Sequence, residues 1–69
     1  MEAQQRDYVD AITDFTKALE NEPYLAEAYF NRGLCHLFLK HDSHAVADLS
    51  KAGELGLYQA YSLIKKNRK

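Results

Sequence analysis

The chain of 69 residues has no tryptophan, one cysteine, one proline and three glycines. A single cysteine, Cys35, rules out an internal disulfide. It lies in the apolar run 34–39 and reads as a buried, inert thiol, compatible with a reducing, cytoplasmic-type compartment. No apolar run approaches the ~18 residues of a membrane span, so no membrane partner is expected. The N-terminal stretch, MEAQQRD, lacks the basic start and apolar core of a signal peptide. An excess of one charge is lacking too: the net charge is −1, so no overall field recruits nucleic acid or a lipid surface.

Catalytic signatures are equally scarce. There is no glycine-rich phosphate loop and no nucleophile elbow. Cys35 and His36 are neighbours, and on a helix they point about 100° apart rather than at each other. No enzyme activity and no cofactor are expected. Three histidines, His36, His41 and His44, match no standard metal-ligand spacing. With Asp42 between the last two, they read as solvated histidines at a turn, and no metal is expected.

The charges present are unevenly spread. Residues 1–34 hold seven acids against three bases, and residues 35–69 hold three acids against six bases. The plain reading is two solvated faces and a basic tail, KKNRK, over residues 65–69. Without interleaved aromatics that tail does not resemble a nucleic-acid surface.

An apolar fraction of 46% argues against disorder, and the apolar positions carry a pattern. The stretch AITDFTKALE, residues 11–20, returns 34 residues later as AVADLSKAGE, residues 45–54. Five of ten aligned positions are identical: Ala11/Ala45, Asp14/Asp48, Lys17/Lys51, Ala18/Ala52 and Glu20/Glu54. The match continues at Tyr24/Tyr58 and Ala26/Ala60. An internal repeat therefore governs the organisation.

Three-and-four spacing of Tyr8, Ala11, Ile12, Phe15, Ala18 and Leu19 predicts a helix over 8–21, with Asp7 as N-cap. Pro23 ends it and suits the entry to a second helix over 24–40. Gly33 sits mid-helix at a cost of about 1 kcal/mol relative to alanine, which implies close approach of another helix. His41-Asp42-Ser43 reads as a turn, with Asp42 or Ser43 capping a third helix that reaches about residue 55. Gly56 is placed for a left-handed C-cap, and a fourth helix is expected over 58–67. No strand-like alternation is present, so the fold class is all-α.

A helix–turn–helix unit of 34 residues has the period of the tetratricopeptide repeat. Ala11, Phe15, Ala18 and Pro23 resemble the second-helix half of one such repeat. Tyr29 and Gly33 resemble the start of the next, with Arg32 in place of its leucine and His36 in place of its tyrosine. Ala45, Leu49 and Ala52 complete it, and Leu57 stands where the family has proline. The resemblance implies antiparallel helix–turn–helix repeats stacked as a right-handed solenoid. It divides the chain into a partial first repeat (1–25), a second repeat (26–57) and a C-terminal capping helix (58–69). Gly33, Ala45 and Ala52 would let helices approach closely, with Tyr29 and Leu49 filling the remaining space.

The resemblance also implies a function. First helices of such repeats line a concave groove that takes a peptide or partner protein. In this register the groove positions are Glu27, Phe30, Asn31, Leu34, Leu37 and Phe38. Asn31 matches a position where an asparagine hydrogen-bonds a peptide backbone. Glu27, Phe30 and Leu34 depart from the basic and asparagine residues with which some members grip a chaperone C-terminus, so that ligand is not expected. Because residues 1–6 cover only the tail of a first helix, two alternatives follow. The chain is a piece of a longer array, or it forms homo-oligomers through the incomplete repeat.

Overall fold

Helix-forming residues run unbroken from the N-terminus to the only proline, and the first helix follows them. The computed structural model describes the backbone of residues 2–67 and the side chains of residues 6–64. It consists of α1 (Glu2–Asn21), α2 (Ala26–Phe38), α3 (Asp42–Glu54) and α4 (Gln59–Asn67), with no strand among the described residues. The basic tail read as a solvated helix end lies outside the described side chains.

Three boundaries differ from the sequence reading. Asp7 is not an N-cap but an interior residue of α1. Ala3, Gln4, Gln5 and Arg6 are good helix formers with no glycine or proline among them, so nothing stops the helix at residue 7. Residues 2–6 are thus the first turn of α1 rather than the tail of a separate helix. Pro23 does not open α2. It occupies the second position of a turn closed by Leu25 N–H donating to the Glu22 carbonyl at 3.2 Å, and its fixed φ suits that place. Neither Asp42 nor Ser43 caps α3. The N-cap is His41, without a side-chain cap bond, and Asp42 is the first helical residue, where its charge suits the positive helix end.

The shift at α3 has its cause one residue earlier. Lys40 has φ 63°, a left-handed conformation normally left to glycine. It closes a Schellman motif: His41 N–H donates to the His36 carbonyl at 2.8 Å, and Lys40 N–H to Leu37 at 3.0 Å. The end of α3 repeats the motif with Gly56 at φ 114°, as expected of that glycine. Leu57 N–H donates to Ala52 and Gly56 N–H to Gly53, both at 3.0 Å.

Each helix packs mainly on the next in sequence. Arg32 meets Asp48, and His36 meets His44 one turn further along α2 and one turn earlier along α3. The two helices are therefore antiparallel. Thr16 with Arg32 and Tyr8 with Phe38 give the same result for α1 and α2. The molecule measures 35 × 32 × 15 Å.

The core sits where α2 and α4 close on α3. Leu49, Ala52 and Ala60 are fully buried, with Tyr29, Phe30, Leu37, Leu57, Leu63 and Ile64 packed around them. Burial of Leu49 alone is worth about 2–3 kcal/mol. The small residues act as the pattern predicted. A Cβ on Gly33 would stand 2.9 Å from Leu49 Cγ and 3.3 Å from Asp48 Cβ. Ala45 and Ala52 are wholly buried, and Ala18, in the first copy, is half-buried. Gly53, which the sequence reading passed over, lies under the Tyr61 ring.

Candidate functional site

α2 carries all six expected groove residues, and the fold sorts them. Leu34, Leu37 and Phe38 line one cavity of about 490 Å³, together with Lys40, Asp42 and Leu63. The cavity is thus bounded by α2 and α4, with the α2–α3 turn at its end. Phe30 turns toward the Leu49–Ala52–Ala60 cluster and Leu37 contacts it as well, so both contribute to the core. Glu27 and Asn31 are exposed and do not line the cavity; they stand one to two turns earlier on α2. Phe38 is 63% exposed yet held in place, because its ring stacks on Tyr8 with centroids 4.9 Å apart and planes within 9°. An apolar surface with a lysine and an aspartate at one end is the result.

Behind this surface a polar network joins three helices. Arg32 Nε donates to Asp48 Oδ2 at 2.7 Å and Nη2 to Oδ1 at 2.8 Å, a bidentate pair. Its Nη1 donates to Thr16 Oγ1 at 3.1 Å, and Thr16 donates to the Ile12 carbonyl at 2.7 Å. The guanidinium also stands 5.5 Å from the Tyr29 ring centroid. The hydrogen bond to Asp48 raises the Arg32 pKa, against burial, which lowers it. No buried side-chain polar atom among the described residues lacks a partner. The sequence reading assigned Arg32 no role beyond replacing a leucine. A signal was available, since Asp48 lies between Ala45 and Ala52 on the inner face of α3, and a carboxylate there demands a cation.

The histidines correct another expectation. His41 and His44 are exposed, as expected, but His36 is not solvated. His36 lies on α2, its side chain only 13% exposed, with its Nε2 3.8 Å from Asp48 Oδ2. The rings of His41 and His44 close over it, with centroids 5.5 and 5.0 Å away. Nδ1 of His36 and Nδ1 of His41 stand 3.3 Å apart. Burial holds the His36 imidazolium below the usual histidine pKa. The Asp48 charge opposes this, while His44, His41 and Arg32 add to it. Among the described residues no group of three or more His, Cys, Asp or Glu is arranged to hold a metal ion. Cys35 is buried, as expected, and burial pushes its thiol pKa up. Among the described residues no helix is long and apolar enough to cross a membrane.

Paired antiparallel helices with an apolar cavity between α2 and α4 are also the context for the chain's relatives. The chain is similar to one segment of two SGT1 homologs. It is 39% identical to Protein SGT1 homolog of Bos taurus over 62 residues, 90% of this chain and 18% of the relative. It is 38% identical to the Homo sapiens protein of that name over 56 residues, 81% of this chain and 15% of the relative. The chain therefore spans less than a fifth of the length of these relatives. No family model matches it, and no solved structure matches it.

Proposed function

We propose that this chain is a non-catalytic protein-interaction module of tetratricopeptide type. It presents the cavity between α2 and α4 to an apolar segment of a peptide or partner protein. The observation that carries this reading is the convergence of Leu34, Leu37 and Phe38 with Leu63 on one cavity, with Phe38 largely exposed but fixed by Tyr8. An exposed aromatic already ordered loses little side-chain entropy on binding. Asn31 stands on the same helix, exposed, with free choice of donor and acceptor for a peptide backbone. The similarity to a short segment of far longer proteins supports a modular role.

The test is selection of peptides from a random library on the intact chain, followed by affinity measurement on Asn31→Ala combined with Phe38→Ala. The expected result is a loss of about tenfold or more in a variant that still unfolds cooperatively, its melting temperature lowered only by the lost Tyr8–Phe38 stacking. Equal binding by parent and variant would remove the groove assignment.

A second reading is favoured by α4. Ala60 is wholly buried against Leu49 and Ala52, so α4 seals the last apolar face of α3 as a capping helix would. The activity of the chain would then be assembly through α1, visible as mass rising with concentration in light scattering. A monomer at every concentration would count against this version.

A further inference from the structure

We infer that the chain assembles head to tail, with α4 of one copy covering α1 of the next. The inference rests on the second reading above, assembly through α1, and names the surface that does the covering. In the 34-residue register α1 is the equivalent of α3, and α2 of α4. α3 packs on both α2 and α4, whereas α1 packs mainly on α2. Since α2 follows α1 as α4 follows α3, the open side of α1 is the one that α2 fills on α3. On α3 that side carries Asp48, which accepts the Arg32 fork, and Leu49, which packs on Gly33. Their equivalents on α1 are Asp14, which is exposed, and Phe15, which is half-buried. Among the described residues Asp14 pairs with no cation.

α4 holds the complement. Arg32 on α2 joins Thr16 on α1 to Asp48 on α3. Moved on by 34 residues, the same link has Ser50 on α3 and Lys66 on α4, and its carboxylate falls to Asp14 of a second copy. Charge agrees over a wider area. Residues 55–69 hold four bases and no acid, whereas α1 holds five acids against two bases. Of those acids, Asp7, Asp10 and Asp14 stand three and four apart and share one helical face. A basic end meeting this face attracts, whereas α1 against α1 sets acid against acid. Asn67 stands where α2 has Gly33, so the approach is less close than that of α2 to α3, and the contact is reversible on dilution. Two different faces meet in it, so it propagates from copy to copy rather than stopping at a pair of like faces.

The experiment is light scattering of the intact chain over a concentration series, at low and high salt, for the parent, Asp14→Lys, Lys66→Asp and an equimolar mixture of the two variants. The parent mass rises with concentration and falls when salt is added. Each variant alone associates about tenfold or more weakly. The mixture restores assembly, because each variant then meets the charge that its own kind lacks. Both substitutions lie outside the core, and far-UV circular dichroism of each variant shows that it is folded. A parent that stops at two copies, with Lys66→Asp behaving as the parent, keeps assembly through α1 and overturns the head-to-tail contact. A mixture no better than its components overturns it as well. A monomer at every concentration overturns both this contact and the reading on which it rests.

Discussion

Lys40 is held at φ 63° although its side chain disfavours that region, because the turn from α2 into α3 needs a left-handed residue. Glycine fills the same role at residue 56 without strain. Lys40→Gly should therefore stabilise the chain by about 1 kcal/mol, read as a higher urea midpoint at unchanged slope. A lower midpoint would mean that the Lys40 side chain contributes more than its strain costs. Gly33 presents the opposite case. Alanine there gains about 1 kcal/mol of helix propensity, but its Cβ would meet Leu49 Cγ at 2.9 Å. Leu49 is 1% exposed and has nowhere to move, so overpacking of about 1–3 kcal/mol outweighs the gain. Gly33→Ala should lower the urea midpoint, and a rise would show that α2 and α3 slide apart freely. The need for a small residue at Gly33 was legible, since a mid-helix glycine in a repeat register implies a crowded face. The strain at Lys40 was not, because a lysine in the sequence carries no mark of the conformation its neighbours impose.

Helix ends are where the sequence reading slipped, and each slip had a competing local interaction. Asp7 offers a cap, but continuous helix formers on both sides outweigh it. Pro23 can open a helix, but a turn closed by Glu22 and Leu25 takes it first. Contacts between helices were more legible when apolar than when polar. Ala45, Leu49 and Ala52 were read as an inner face, whereas the Arg32 link through Asp48 and Thr16 ties α1, α2 and α3 together from a position read only as a departure from a motif. Lysine cannot reproduce that planar fork. Side-chain exposures of 20% and 10% leave some solvent screening, so the cost of Arg32→Lys should be about 1–3 kcal/mol, below that of breaking a fully buried pair. A double-mutant cycle with Arg32→Ala and Asp48→Ala should give a coupling of similar size. Additive effects would reduce the network to two independent packing residues.

At the scale of the whole molecule, equivalent positions meet different fates in the two copies. Asp14 is exposed and Asp48 buried; Phe15 and Ala18 are half-buried, whereas Leu49 and Ala52 are buried almost completely. The cause is the number of neighbours. α3 packs against both α2 and α4, whereas α1 is covered mainly by α2. The periodicity that identified both helices could not show this, because burial depends on how many neighbours flank an element and not on its own pattern. Where each helix packs mainly on its neighbours in sequence, stability is a sum of local interfaces, so it should be graded along the chain. Native-state hydrogen exchange should find the amides around Leu49 and Ala52 opening only with global unfolding. Those around Ile12 and Phe15 should open by a smaller, sub-global step, about 1–3 kcal/mol lower in free energy for a helix with one flank uncovered. Equal protection in α1 and α3 would mean that something covers α1 in solution. Repeating the exchange at two protein concentrations would identify the cover: protection of α1 that rises with concentration belongs to a second copy of the chain, and protection that stays constant belongs to cooperative unfolding of all four helices.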